Sequence, residues 1–238
     1  MKKTIILIFN LLWSLYLTSQ SCIPTSIVFS NQAQVDAFPS QYPGCQHILG
    51  NVGITGTVQN LDSLNQIQSI GGSLSILNVN NLNSIDGLSN LDSIGGSLLV
   101  KNTSINSFIP FQNISHVGQN IKFEINYNDP IYPTFQYIEK INGDIFLQGF
   151  NNNISVSIFP NLDSLNNLSI TSFKLGLGSF ASLLKVKNTL YLGSCSILPS
   201  FNNLVTVDGV LNLSFNSFYT ISGFQNLAMV GSYLYIGS

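Results

Sequence analysis

Residues 88–98 read Leu88-Ser-Asn-Leu-Asp-Ser-Ile-Gly-Gly-Ser-Leu98, and Val100 follows after one intervening residue. The phrase is apolar, two spacers, apolar, two spacers, apolar, a turn, then two apolar residues flanking an outward one. It returns every 21 to 24 residues. Its first slot holds Leu64, Leu88, Phe111, Phe135, Phe159, Phe180, Phe201 and Phe224. Three residues on stand Ile67, Leu91, Ile114, Ile138, Leu162, Leu183, Leu204 and Leu227. The third slot holds Ile70, Ile94, Val117, Ile141, Leu165, Val186, Val207 and Val230. A fixed period with no polar exception in three columns is the signature of a solenoid.

After the third slot come Gly71-Gly72, Gly95-Gly96, Asn142-Gly143, Asn166-Asn167 and Asp208-Gly209. Gly and Asn reach positive φ at little cost, so these pairs are expected to be tight turns. Alternating pairs follow: Leu74/Ile76, Leu98/Val100, Ile121/Phe123, Ile145/Leu147, Leu168/Ile170, Leu190/Leu192, Leu211/Leu213 and Leu234/Ile236. Period-two alternation in so short a window predicts half-buried strands, stacked coil on coil into a parallel sheet. Looser inward residues are expected at Leu82 and Ile85, Ile105 and Phe108, and Phe218 and Ile221. The coils are too short for a long helix on the back. A β-helix with three short sides fits, as does a strand with a stubby turn. The predicted class is therefore mainly β: a right-handed β-helix or leucine-rich-repeat-like solenoid of about eight coils with an N-terminal cap.

Tyr42, Cys45 and Ile48 fill the same three slots, and Val52 with Ile54 supplies a strand, so 42–63 is a lead coil. Ahead of it, Ser30 is expected to cap a short helix ended by Pro39. Ile27 to Phe29 are expected to form a strand over the bottom edge of the sheet. Residues 1–21 have the layout of an export signal. Lys2 and Lys3 precede an apolar run from Ile5 to Leu17, too short for a bilayer span, and small or polar residues follow. The expected organisation is a signal peptide over 1–21, a cap over 22–41 and the solenoid over 42–238. The chain stops just after the eighth strand with no lid, which suggests a partner there, or a longer protein.

Three cysteines in an exported chain suggest one disulfide and a remainder. Cys22 and Cys45 bracket the cap, and Cys195 is expected to be a buried thiol acting as a small hydrophobe. Ser19 and Ser21 stand where a lipoprotein signal carries Leu and a small residue, so lipid attachment at Cys22 is disfavoured. Lys and Arg number eight, all Lys, against ten acids; without Lys2 and Lys3 the balance is six minus ten, or −4. Charged residues are 8% of the chain, so no basic patch suits nucleic acid.

These residues make the chain resemble the receptor L domain, the ligand-binding β-helix of insulin-receptor and epidermal-growth-factor-receptor ectodomains. Cys45-Gln-His-Ile-Leu-Gly-Asn-Val-Gly-Ile54 resembles the family's first coil, and the Ile-Gly-Gly turns recur as in its repeats. The resemblance spans roughly 42–238, with leucine-rich repeats and exported bacterial repeat proteins as relatives. It implies surface recognition without naming a ligand. No cysteine-rich module, membrane span or kinase accompanies it, so hormone binding and its contact residues do not carry over.

The only histidines, His47 and His116, have no nucleophile marked against them, and His47 is expected to face solvent. The acids of the outward strand positions are isolated, so the paired carboxylates of a polysaccharide-cleaving enzyme are not visible. No metal spacing occurs and no cofactor is implied. Phe146, Tyr191, Tyr233 and Tyr235 place aromatics among small polar residues on one sheet face, where such side chains serve interfaces and stack on sugars. They also simply suit strands. The sequence thus points to a secreted or cell-surface scaffold binding an extracellular protein or glycan through its sheet. The alternative is a structural, self-associating segment of a larger adhesin, joined through the uncapped C-terminal coil. A β-helical polysaccharide enzyme ranks third.

Overall fold

The computed structural model describes residues 21–23, 25–105, 107–125, 134–153, 157–174, 178–195, 201–214 and 223–237. Residues 1–20 of the leader, Phe218 and Ile221 lie outside them. The chain winds as a β-solenoid whose three sides follow from the repeated phrase.

The long side is a ten-stranded sheet. It begins with Ile27–Asn31 and continues through Val52–Thr57, Leu74–Val79, Leu98–Thr103 and Ile121–Ile125. Ile145–Asn153, Leu168–Lys174, Leu190–Gly193, Leu211–Ser214 and Leu234–Gly237 complete it. Every pair is parallel, and the inward residues stack in strict register: Leu74 on Leu98 on Ile121 on Ile145 on Leu168 on Leu190 on Leu211 on Leu234. The third slot lies in a wall of two-residue strands, from His47–Ile48 through His116–Val117 and again from Ser164–Leu165 to Met229–Val230. Between these runs Lys140 bridges Ser164 in isolation.

The third side explains the two-residue spacers. The amide of the second slot donates to the carbonyl of the first, as in Ile67 to Leu64, Leu91 to Leu88, Ile114 to Phe111, Ile138 to Phe135 and Leu204 to Phe201. Such an i+3 turn points both residues inward. Three of these corners are 3-10 helices, Asp62–Leu64, Asp86–Leu88 and Ile109–Asn113.

The columns converge on one dry core. From coil 4 (134–157) upward the first slot is a stack of rings. Phe135 lies 4.9 Å from Phe159, Phe159 5.5 Å from Phe180, Phe180 5.8 Å from Phe201, and Phe201 5.3 Å from Phe224. Leu82, Ile85, Ile105 and Phe108 are buried as expected. Cys195 is buried too, its thiol directed at the Ile170 and Gly193 carbonyls.

At the bottom, a strand at Ser21–Ile23 extends the short wall by pairing with His47–Ile48, and Cys22 is bonded to Cys45 with a Cα separation of 5.4 Å. Closing a loop of this size is worth ~3 kcal/mol in the chain-entropy model. Ile27–Asn31 covers the edge of the long sheet, and the helix Gln32–Gln41 buries Val35 and Phe38 over the lead coil.

Four expectations need correction. The helix is capped by Asn31, whose side chain accepts from the Gln34 amide, because strand pairing carries the chain one residue past Ser30. Pro39 lies inside the helix, near its end, where the Tyr42 amide donates to the Phe38 carbonyl and closes the turn. His47 is half-buried, with Nδ1 2.7 Å from the Ser69 hydroxyl of the next coil. The glycines after the third slot are not at positive φ; among the described residues that conformation occurs at Gly44 and Phe180 and, near the end of the long strand, at Gly56, Asn78, Asn102, Ser172 and Ser194. Gly71 and Gly95 are instead required by closeness. A Cβ on Gly71 would lie 2.6 Å from the Leu49 carbonyl oxygen, and one on Gly95 would overlap that of Gly71.

Coil 8 (224–237) departs as well. Leu234 and Ile236 are 53% and 58% exposed, whereas their counterparts in the seven coils below are buried. No further coil covers them among the described residues.

Candidate functional site

Alternation places every second residue of the long strands outside. The central outward column runs Gly53, Ser75, Leu99, Lys122, Phe146, Ser169, Tyr191, Asn212 and Tyr235, in continuous register. From coil 4 upward, aromatic and small polar residues therefore alternate coil by coil. Phe146, Tyr191 and Tyr235 sit two coils apart, about 10 Å at the usual strand spacing. Tyr233 shares this face but stands one outward position earlier, at the turn, and is 61% exposed.

The two column tyrosines lean along their own strands. A Cβ on Gly193 would overlap the Tyr191 ring and hydroxyl, and one on Gly237 would come within 2.7 Å of the Tyr235 ring. Each ring thus folds along its own strand over the glycine two residues on. The sequence shows this as Leu190-Tyr-Leu-Gly193 and Leu234-Tyr-Ile-Gly237.

Phe146 is different. The Lys122 ammonium sits 4.7 Å from its ring centroid, a cation–π contact. Lys122 also pairs with Glu124 at 2.5 Å, and Lys101 reaches the other Glu124 oxygen at 2.6 Å. Burial alone would raise the Glu124 carboxyl, but hydrogen bonds and charge from Lys101 and Lys122 outweigh it and hold the group below its ordinary value. This cluster bounds the aromatic strip at coils 2 and 3 (88–133). Beside it a shallow cavity of about 280 Å³ is lined by Asn120, Lys122, Asp144, Phe146, Asn167 and Ser169, with backbone of Ile121 and Ile145.

A side-chain ladder lines the turn edge of the same face, and sequence reasoning missed it. Asn51 accepts from the Ser73 amide, Ser73 from Ser97, Ser97 from Asn120, Asn120 from Asp144, Asp144 from Asn167 and Asn167 from Thr189. In a second ladder each side-chain amide donates to a carbonyl of the coil below: Asn90 to Asn65, Asn113 to Ser89, Asn161 to Gln136, Asn203 to Ala181 and Asn226 to Asn202. The first recurs coil by coil from Asn51 to Thr189; the second is interrupted at Tyr137 and Ser182, which stand where the other coils carry Asn. The period was visible, but in so Asn- and Ser-rich a chain the polar columns did not stand out from composition.

The structure brings Phe146, Tyr191 and Tyr235 into one column with Tyr233 beside it, and joins Cys22 to Cys45 at the opposite end. His116 is exposed on the short-strand wall, away from the strip. Among the described residues no group of three or more His, Cys, Asp or Glu could hold a metal ion, and no helix is long and apolar enough to cross a membrane.

Residues 44–110 match the family model of the receptor L domain, a family of binding domains and not of enzymes. The match covers the lead coil and coils 1 and 2 (64–110); the aromatic strip lies in coils above it. The chain matches no curated protein and no solved structure.

Proposed function

We propose that this chain, a receptor L domain match over its first coils, is an exported recognition scaffold that binds an extracellular protein or glycan on the outward face of its long sheet. The observation that carries the reading is the column Phe146, Tyr191 and Tyr235, with Tyr233 alongside, on an outward face whose column residues above Phe146, Ser169 and Asn212, are small and neutral. Amphipathic rings of this kind give interfaces their contact area at low entropic cost. The Cys22–Cys45 disulfide favours an oxidising compartment, and the leader-like residues 1–21 favour export into it. A cofactor has no role in this reading.

The test is a screen of arrayed glycans and extracellular proteins with three forms of the chain. Ser169→Arg places a long charged side chain in the middle of the strip; Asp62→Arg places one on the exposed 3-10 side. Every specific interaction is expected to be lost or weakened at least tenfold by the first change and kept by the second. Equal loss, or loss only with Asp62→Arg, refutes the sheet face as the binding surface.

The half-exposed Leu234 and Ile236 favour a second reading, in which coil 8 packs against an apolar surface of another molecule, including another copy of this chain.

A further inference from the structure

We propose that the ligand is an extended, neutral, β-1,4-linked polysaccharide lying along the solenoid axis, across the strands, on Phe146, Tyr191 and Tyr235. This rests on the sheet face being the binding surface and specifies the chemistry of what it binds.

Three observations carry it. The first is spacing. The aromatics recur at every second coil, about 10 Å apart by strand spacing, with Ser169 and Asn212 between them. A flat β-1,4-linked chain flips each ring relative to the last, so the same ring face returns every second sugar, at a repeat close to this length. An α-1,4-linked chain curls and cannot keep three coplanar contacts. The second is seating: Tyr191 and Tyr235 lie along their strands over Gly193 and Gly237, which carry no side chain to displace them, so both rings are held on the sheet face where a sugar ring can stack. The third is charge. From Ser169 to Tyr235 the central column is uncharged, and its flanks at Asn167, Thr189, Val210, Thr171, Gly193 and Ser214 are uncharged too. Amides and hydroxyls between the rings complement sugar hydroxyls, and the cation at the Phe146 end, Lys122, is already paired with Glu124. The Lys101–Glu124–Lys122 cluster closes the strip beyond Phe146, and the cavity beside Phe146, lined by Asn120, Asp144 and Asn167, receives the sugar at that end.

Contact with all three platforms needs sugars one, three and five of a chain, which sets the experiment. The full chain with its disulfide intact is titrated calorimetrically with cellohexaose, chitohexaose and maltohexaose, and with the trisaccharides of the first two. At least one β-linked hexasaccharide is expected to bind tenfold or more tightly than its trisaccharide, with maltohexaose not bound. Tyr191→Ala is expected to weaken that binding roughly tenfold, the scale of one stacked ring. Tyr191→Phe, which keeps the ring and the cover over Gly193, is expected to bind as the wild type does. If Tyr191→Ala unfolds, Asn212→Arg, which fills the gap between two platforms, takes its place.

Binding of neither β-linked hexasaccharide, equal binding of maltohexaose, or no gain from trisaccharide to hexasaccharide overturns the proposal. In those outcomes the recognition reading still stands if an arrayed protein is lost on Ser169→Arg, and falls only if nothing is.

Discussion

Phe159 lies between Phe135 and Phe180, with ring planes 9° and 28° apart, and is fully buried. The same slot holds Leu64 and Leu88 lower in the rod, so the position asks for volume and apolarity before it asks for a ring. Removing the ring should leave a cavity that two stacked neighbours cannot fill. Phe159→Ala is expected to cost about 3–5 kcal/mol and Phe159→Leu less than half of that. Phe224→Ala, at a slot only partly buried, should cost less than Phe159→Ala. Urea unfolding midpoints check all three, and equal losses at 159 and 224 would show that the stack is not the anchor it looks to be. These columns were legible because counting alone reveals them: an apolar residue that returns with the coil must face the coil's interior. The outward tyrosines were legible as a group for the same reason. Their seating over Gly193 and Gly237 was not, since Tyr-x-Gly along one strand says nothing until a ring is seen to lie over the glycine. Nor was His47, because a half-buried imidazole bonded to Ser69 depends on which residue the next coil sets beside it.

At the scale of the turn, the sequence shows that the chain bends after the third slot but not why glycine is there. Two physical accounts make opposite predictions for Gly95→Ala. Where a glycine has ordinary φ and room around it, Ala stabilises by about 0.4–1 kcal/mol through the unfolded state. Here φ is ordinary, but the new Cβ would overlap the Gly71 carbonyl oxygen of the coil below, a backbone atom that cannot swing away. Gly95→Ala is therefore expected to destabilise by about 1–3 kcal/mol, the range for overpacking. Lys187 occupies the equivalent position in a higher coil and is exposed, so Lys187→Ala should stay within about 0.5 kcal/mol. Thermal midpoints of the two variants decide the matter, and a stabilised Gly95→Ala would refute the close-approach account. Distance between coils is a property of stacking, and one coil's sequence does not contain it. The misplaced helix cap has the same origin: Ser30 and Asn31 are both good caps, and the choice fell to the pairing of Asn31 with Thr57.

For the whole molecule, the two ends of the rod are unlike. The lower end is closed by the Ile27–Asn31 strand, the helix Gln32–Gln41 and the Cys22–Cys45 bond. The upper end presents Leu234, Ile236, Met229 and Tyr233, each about half exposed or more. In a solenoid each coil is stabilised by its neighbours, so a coil with one neighbour keeps half of its apolar surface in water. Little opposes contact between two such ends, because charged residues are only 8% of the chain and the net charge is small. The 238-residue chain is therefore expected to associate as its concentration rises, seen as a growing sedimentation coefficient between micromolar and hundreds of micromolar protein. Leu234→Lys combined with Ile236→Lys should hold it monomeric across that range while leaving the far-ultraviolet dichroism spectrum of the stacked strands unchanged. Because the double change flanks Tyr235, recognition by the sheet face is tested apart from it, with Ser169→Arg. If wild type and variant sediment alike as monomers, the apolar end does not drive self-association.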